Sequence, residues 1–345
     1  MSSTVLTPSP VDRFRGIGAG FAIVIIALTV TGLLLLATGV NPLRAYFEIL
    51  RGAFSSVGTV SETFLYSAPI ILTSLAVILC FRCGLWNIGA DGQLYLGAIA
   101  TVSVGFNNFI HLPAPLVLPA MAVAAFAAGG LWAGIAAALR LRLGANEVIV
   151  TIMMNFLAVT LATYLIGGPW ASGITPATRP IVEAGFLPII IPGTRLHANI
   201  IVAVGAAACL SFVLRYTVFG YRVRTIGQNA NAARYAGIPV NRVMFTSFVC
   251  GGGLAGLAGF GEVAGVYHCL PDSLSPGFGY TGIVIALLAR LNPLWAVLVA
   301  YLLAALTVGA GGMQRAIGVP VSLVTVMEAV LILIVLATRL LERNR

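Results

Sequence analysis

The sequence predicts an all-α polytopic membrane protein of about ten transmembrane helices, some short or broken, with both termini cytoplasmic. Three observations predict it. Hydrophobic residues make up 59% of the 345-residue chain and charged residues only 8%, whereas a soluble domain needs about a quarter of its residues charged to cover its surface. Apolar runs of about 20 residues, the length a helix needs to cross the hydrocarbon core, recur along the chain. Arginines collect in alternate connections, the bias that orients short loops toward the cytoplasm.

The first run, 16–40, follows Arg13 and Arg15. It is longer than the apolar core of a secretion signal and lacks a clear small-x-small cleavage site, so it reads as a retained anchor behind a cytoplasmic tail, 1–15. Next, 41–62 carries Arg44, Glu48 and Arg51 at helical spacing among apolar residues. Those charges make crossing costly, so the segment reads as an amphipathic helix along the outer surface.

Further spans follow at 63–81, 93–110, 114–139, 147–168, 199–219, 243–267, 280–289, 293–310 and 320–338, ahead of a C-terminal tail, 339–345. The stretch 280–289 is too short to cross alone and reads as tilted, broken or merged. With the N-terminus inside, the inner connections hold Arg82; Arg140 and Arg142; Arg215, Arg222, Arg224, Arg234 and Arg242; Arg290; and Arg339, Arg343 and Arg345. The outer ones hold none at 111–113 or 268–279, with Arg179 and Arg195 in the long Pro/Gly-rich external loop 169–198 and Arg315 in a short one.

Composition also excludes functions. All 19 basic residues are arginine, so the chain has no lysine for a Walker A phosphate loop or for Schiff-base chemistry. The net charge of +9 is what inward-facing loops of a polytopic protein supply, and no nucleic-acid partner is inferred from it. Cys80 and Cys83 form the one C-x-x-C, far in sequence from His111, His197 and His268. The five cysteines therefore read as small buried side chains, with no metal or redox role. No nucleophile stands beside a base, so no catalytic residue is assigned.

Four features carry more specific expectations. Gly252 and Gly256, and Gly261 and Gly265, recur at a spacing that lets two helix backbones approach closely. Asn155, Glu262 and Glu328 fall inside spans, where a polar group faces either a wet path or a structural partner. The stretch "GLWNIGADGQ", 84–93, sets Asn87, Asp91 and Gln93 among glycines at a helix junction. It reads either as a plain cytoplasmic turn, with Gly84 ending one helix and Asn87 helping to start the next, or as a re-entrant break lining the substrate path. Finally, 229–235 reads as a short helix started by Asn229, ended by Gly237 and broken by Pro239, with a small-residue face of Ala232, Ala233 and Ala236.

"RTIGQNANAARYAGIPV" resembles the cytoplasmic loop of ABC-transporter permeases of the branched-chain amino acid, simple sugar and nucleoside uptake group. The resemblance continues through "GLWNIGADGQ", "NEVIVTIMMNFLA" and "PGFGYTGIVIALLARLNPL", in the same order, and is nearest the nucleoside-type branch, where Glu is common at the place of Asp91. It implies one permease domain, 16–338, in a bacterial inner membrane. Its coupling loop, 220–242, would dock on a separate ATPase subunit through Gly227, Asn229, Ala232, Ala233, Arg234 and Gly237. ATP and magnesium would sit on that partner, with no cofactor on this chain. The resemblance further implies a second, shorter permease and an extracytoplasmic substrate-binding protein.

The expected function is therefore alternating-access import of a nucleoside or related polar solute. A simple-sugar permease of the same group is the alternative. An ion-coupled secondary transporter with Glu262 or Glu328 as proton site is the alternative from another class. A simple channel lacks a filter sequence or charged ring.

Overall fold

The computed structural model describes residues 29–33, 35–36, 39–106, 111–173, 176–319, 322–323, 325–326 and 329–330. The expected spans 16–40 and 320–338 fall mostly outside these residues, and Glu328 and both tails fall wholly outside them. The described part is built from helices: α1 (Pro42–Phe54), α2 (Val57–Arg82), α3 (Ala90–Gly105), α4 (Ala114–Leu143), α5 (Glu147–Gly167), α6 (Asn199–Tyr216), α7 (Val218–Gln228), α8 (Ala230–Tyr235), α9 (Val240–Gly261), α10 (Phe278–Leu288) and α11 (Pro293–Ile317). A π-helical turn, Glu262–Tyr267, continues α9. Six are long and apolar enough to cross a membrane: α2, α4, α5, α6, α11, and α9 with its π turn.

The chain divides into two units, residues 1–55 with 305–345 and residues 56–304. In the first, Asn41 caps α1 by accepting from the Leu43 amide at 3.0 Å. α1 buries Ala45, Ile49 and Ala53 and exposes Leu43, Phe47 and Leu50. A methyl added to Gly52 would stand 2.8 Å from the Gly309 carbonyl oxygen, a close crossing that only small residues allow.

The second unit is a bundle around α2. Ser56 and Thr59 form a capping box that starts α2 at Val57, six residues before the span expected at 63–81. α2 is apolar all round, and its burial is against the protein's own helices: from Ser67 to Cys80 every α2 residue is buried. Helices α9, α10 and α6 pack on it, while α3 packs against α4, α9 and α5.

The outward faces of the peripheral helices are apolar instead: Leu116, Val123 and Leu131 on α4, Ile149, Phe156 and Leu157 on α5, Ile201 and Phe212 on α6. Such a surface suits hydrocarbon.

Glycines set the tightest crossings. A methyl on Gly256 would overlap the Ala125 carbonyl of α4, and one on Gly97 the backbone of Gly256. The second glycine pair works differently, for Gly261 and Gly265 make room for the side chains of Asn199 and His197.

Candidate functional site

α2 ends where Gly84 takes φ +75°, a left-handed conformation open to glycine at little cost. Arg82 Nε donates to the Leu291 carbonyl at 2.7 Å, so the far end of α10 lies level with the end of α2. The chain then turns back into the bundle. The Ile88 amide donates to Thr151 Oγ1 at 3.3 Å, Asn155 Nδ2 donates to the Ile88 carbonyl at 2.9 Å, and the Gly92 amide donates to Asn155 Oδ1 at 2.8 Å. Asn155 lies two turns into α5, about 12 Å from its start at the helical rise. The stretch 84–93 is thus a break that re-enters the bundle, not a plain turn at its end.

Asn87 does not cap α3, whose N-cap residue is Gly89. Its Oδ1 accepts from the Gly89 amide and from Gln93 Nε2, each at 3.0 Å, and its Nδ2 donates to Gln93 Oε1 at 3.2 Å. The two buried amides satisfy each other, as buried polar groups must.

Asp91, in the first turn of α3, reaches a second break. Its Oδ1 accepts from Ser275 Oγ at 2.7 Å and from the Gly279 amide at 3.0 Å. Ser275 Oγ accepts in turn from the Gly277 and Phe278 amides, and Thr73, mid-way along α2, donates to the Phe278 carbonyl at 3.0 Å. The start of α10 is therefore capped from another helix, with a carboxylate where the helix dipole favours one. This explains the short apolar stretch: α10 is a separate helix of 11 residues that begins inside the bundle. The loop 268–277, which reads in sequence as a surface connection, reaches inward to meet it.

Glu262 lies elsewhere, at the start of the π turn, 5% exposed. Beside that turn Asn199 is fully buried with neither amide atom paired, and His197 Nε2 and His268 Nδ1 are also unpaired. Burial, with His268 and Arg195 adding to it, pushes His197 down to about 4. The His268 ring stacks on Phe186 at 3.8 Å, and Arg195 pairs with Glu62 at 3.8 Å.

The loop beyond α7 forms the short helix its caps predict. Asn229 Oδ1 accepts from the Asn231 and Ala232 amides at 3.0 Å, Gly237 takes φ +78°, and Pro239 precedes α9. Of the residues expected to face a partner, Gly227, Asn229, Ala232, Arg234 and Gly237 are exposed, as is Tyr235 at 95%. Ala233 is not: it is fully buried in its own chain's core, so it cannot lie on an outward docking face. Gly227 abuts the Arg82 carbonyl, where a side chain would collide, and so serves the packing of α7 on the end of α2.

Sequence reasoning missed Thr151, Ser275 and Tyr280, whose hydroxyl accepts from Asn155 Nδ2 at 3.2 Å; nothing local marks them. Among the described residues no group of three His, Cys, Asp or Glu side chains is placed to hold a metal.

A bundle with two helices broken inside it and a capped surface helix at its arginine-rich end suits a transport protein, and comparison with known proteins agrees. Residues 59–336 match the family described as branched-chain amino acid transport system / permease component. The glucose ABC transporter permease protein of Haloferax volcanii is 36% identical over 97% of this chain and 91% of its own length. The guanosine ABC transporter permease protein of Bacillus subtilis is 37% identical over 90% of each. The nucleoside ABC transporter permease protein of Lactococcus lactis is 29% identical over 90% of this chain and 88% of its own. The chain belongs to the branched-chain amino acid transport system permease family and is an ABC-transporter permease subunit.

Proposed function

We propose that this permease imports a nucleoside by alternating access, driven by a separate ATPase subunit that binds ATP and magnesium. The observation that carries the substrate reading is the likeness to the guanosine permease across nine-tenths of both chains; a simple sugar is the second reading, favoured by the like resemblance to the glucose permease. In this reading the arginine-rich end, with both termini, faces the cytoplasm of a bacterial cell and ten spans cross its inner membrane. A second permease completes the path, and an extracytoplasmic binding protein delivers the solute.

The exposed side of α8, with Ala232, Arg234 and Tyr235, supports a docking role for this helix: small residues admit a partner's surface, and an aromatic and an arginine are the side chains that most often anchor interfaces. ATP shifts the permease between states only through contacts that differ between them. Ala232→Asp and Tyr235→Asp place a charge on this surface without touching the core. Each is expected to lower ATP-driven uptake by about tenfold or more, the size of a lost interface anchor, with the chain still folded and membrane-inserted. Unchanged uptake by both variants in the assembled transporter rules out α8 as the docking element. Uptake by this chain alone under an ion gradient, without an ATPase, overturns the whole reading.

A further inference from the structure

Helices α5 and α10 both pack on α3, and polar contacts at two levels join α5 to α10 and to the loop before it, marking out a strip. At its inner end the Tyr280 hydroxyl accepts from Asn155, 3.2 Å away. At its outer end Thr163 Oγ1 donates to Asp272 Oδ1 at 3.2 Å. Eight residues of α5 separate Asn155 from Thr163, about 12 Å at the helical rise. Thr160, Thr163, Asp272 and Ser273 are exposed, and Tyr280 is 45% exposed.

The strip is interrupted by exposed Phe156, seven residues before Thr163 on the same side of α5, and is bordered by the apolar outward faces of α4, α5 and α6. A carboxylate and several hydroxyls beside spanning helices are costly toward lipid and belong on a wet surface. The strip also ends on the two broken segments, where non-helical backbone is tolerated because it faces protein or water.

We propose that this strip lines the chain's share of the solute path and that the path takes a ring bearing hydroxyl groups, with Tyr280 as the specificity-determining residue. The proposal rests on the importer reading above. Asp272 is an acceptor for ring hydroxyls at the outer mouth, with Thr163 beside it as donor and acceptor. Tyr280 presents an aromatic face at the inner end, which stacks on a nucleobase more strongly than on a saturated sugar ring. Nucleosides and free sugars share the hydroxyl chemistry and differ at Tyr280.

The test is uptake by the complete transporter, with ATPase, second permease and binding protein, in proteoliposomes, using guanosine and glucose as probes. Tyr280→Ala is expected to cut guanosine uptake about tenfold and to change its ratio to glucose, while Tyr280→Phe, which keeps the ring, stays within about twofold. Asp272→Asn and Thr163→Val are expected to raise KM for both probes by about three- to tenfold. Thr163→Cys should react with a membrane-impermeant maleimide, above the background of the unsubstituted complex, and be protected by the transported probe. Leu161→Cys, on the opposite side of α5, should do neither. Unchanged KM and selectivity in all these variants, or equal labelling of the two cysteines, overturns the path while leaving the importer reading intact. Absence of ATP-driven uptake of either probe by the unsubstituted transporter overturns the importer reading and this proposal together.

Discussion

The bundle holds two buried polar sites that differ in one respect. Around the break at 84–93 the amides of Asn87, Gln93 and Asn155 and the carboxylate of Asp91 all have partners at hydrogen-bonding distance. Around the π turn at the other site, Asn199 has none and His197 and His268 each leave a ring nitrogen unpaired. A satisfied network fixes one geometry, because every alternative breaks a bond in a low dielectric. An unsatisfied one has little to lose by rearranging. The first site is therefore a fixed frame that holds two helix starts inside the bundle, whereas the second carries buried polar atoms of His197, Asn199 and His268 that no partner holds in place.

The largest expected effect lies in the frame. Asn155→Ala leaves the Gly92 amide and the Ile88 carbonyl buried without partners, and each such loss costs about 1–3 kcal/mol. Loss of about 3 kcal/mol or more of stability is expected, read as a lower thermal midpoint in detergent and faster proteolysis within 84–93. A variant as stable as the parent would show that this network does not hold the break.

A second effect separates the two sites by pH. His197 lies outside the spanning helices and titrates at about 4 when folded, against an ordinary 6.5. Below pH 6.5 the unfolded chain takes up a proton that the folded chain refuses until about pH 4, so stability falls over that window as pH drops. The full loss is about 3 kcal/mol. The depressed His268 acts in the same sense. His197→Gln should flatten the pH dependence of the thermal midpoint between pH 7 and 4. An equally steep profile in the variant would move the pH sensitivity away from the π turn.

What the sequence disclosed follows the range of the interactions. Apolar runs set the long helices, and α8 was legible because Asn229, Gly237 and Pro239 are local signals that act within a turn. The orientation of α8 was not legible: Ala233 is fully buried while Ala232 and Arg234 on either side of it are exposed, and no local signal in the helix marks which small residue turns inward. Likewise Asp91 reads as a lone acid in a loop until Ser275 and Gly279 arrive 184 and 188 residues later. The same spacing rule that located the helix crossing at Gly252 and Gly256 misjudged Gly261 and Gly265, since periodicity reports that space is needed but not whether backbone or side chain fills it.

The smallest effect is the sharpest test of the contrast. Asn199 is fully buried beside Gly261, and neither its Nδ2 nor its Oδ1 meets a partner. Removing an unpaired buried amide relieves its desolvation cost, while the few methyl-scale contacts it surrenders act in the opposite direction. Asn199→Ala is therefore expected to leave stability unchanged or raise it by up to about 1 kcal/mol. Alanine also suits the first turn of α6 better than asparagine does. The measurement is the same thermal midpoint used for Asn155→Ala, so the two asparagine deletions should move it in opposite directions or by very different amounts. If Asn199→Ala lowers stability as far as Asn155→Ala does, then Asn199 is paired in solution, and the π turn is a second satisfied frame like the first.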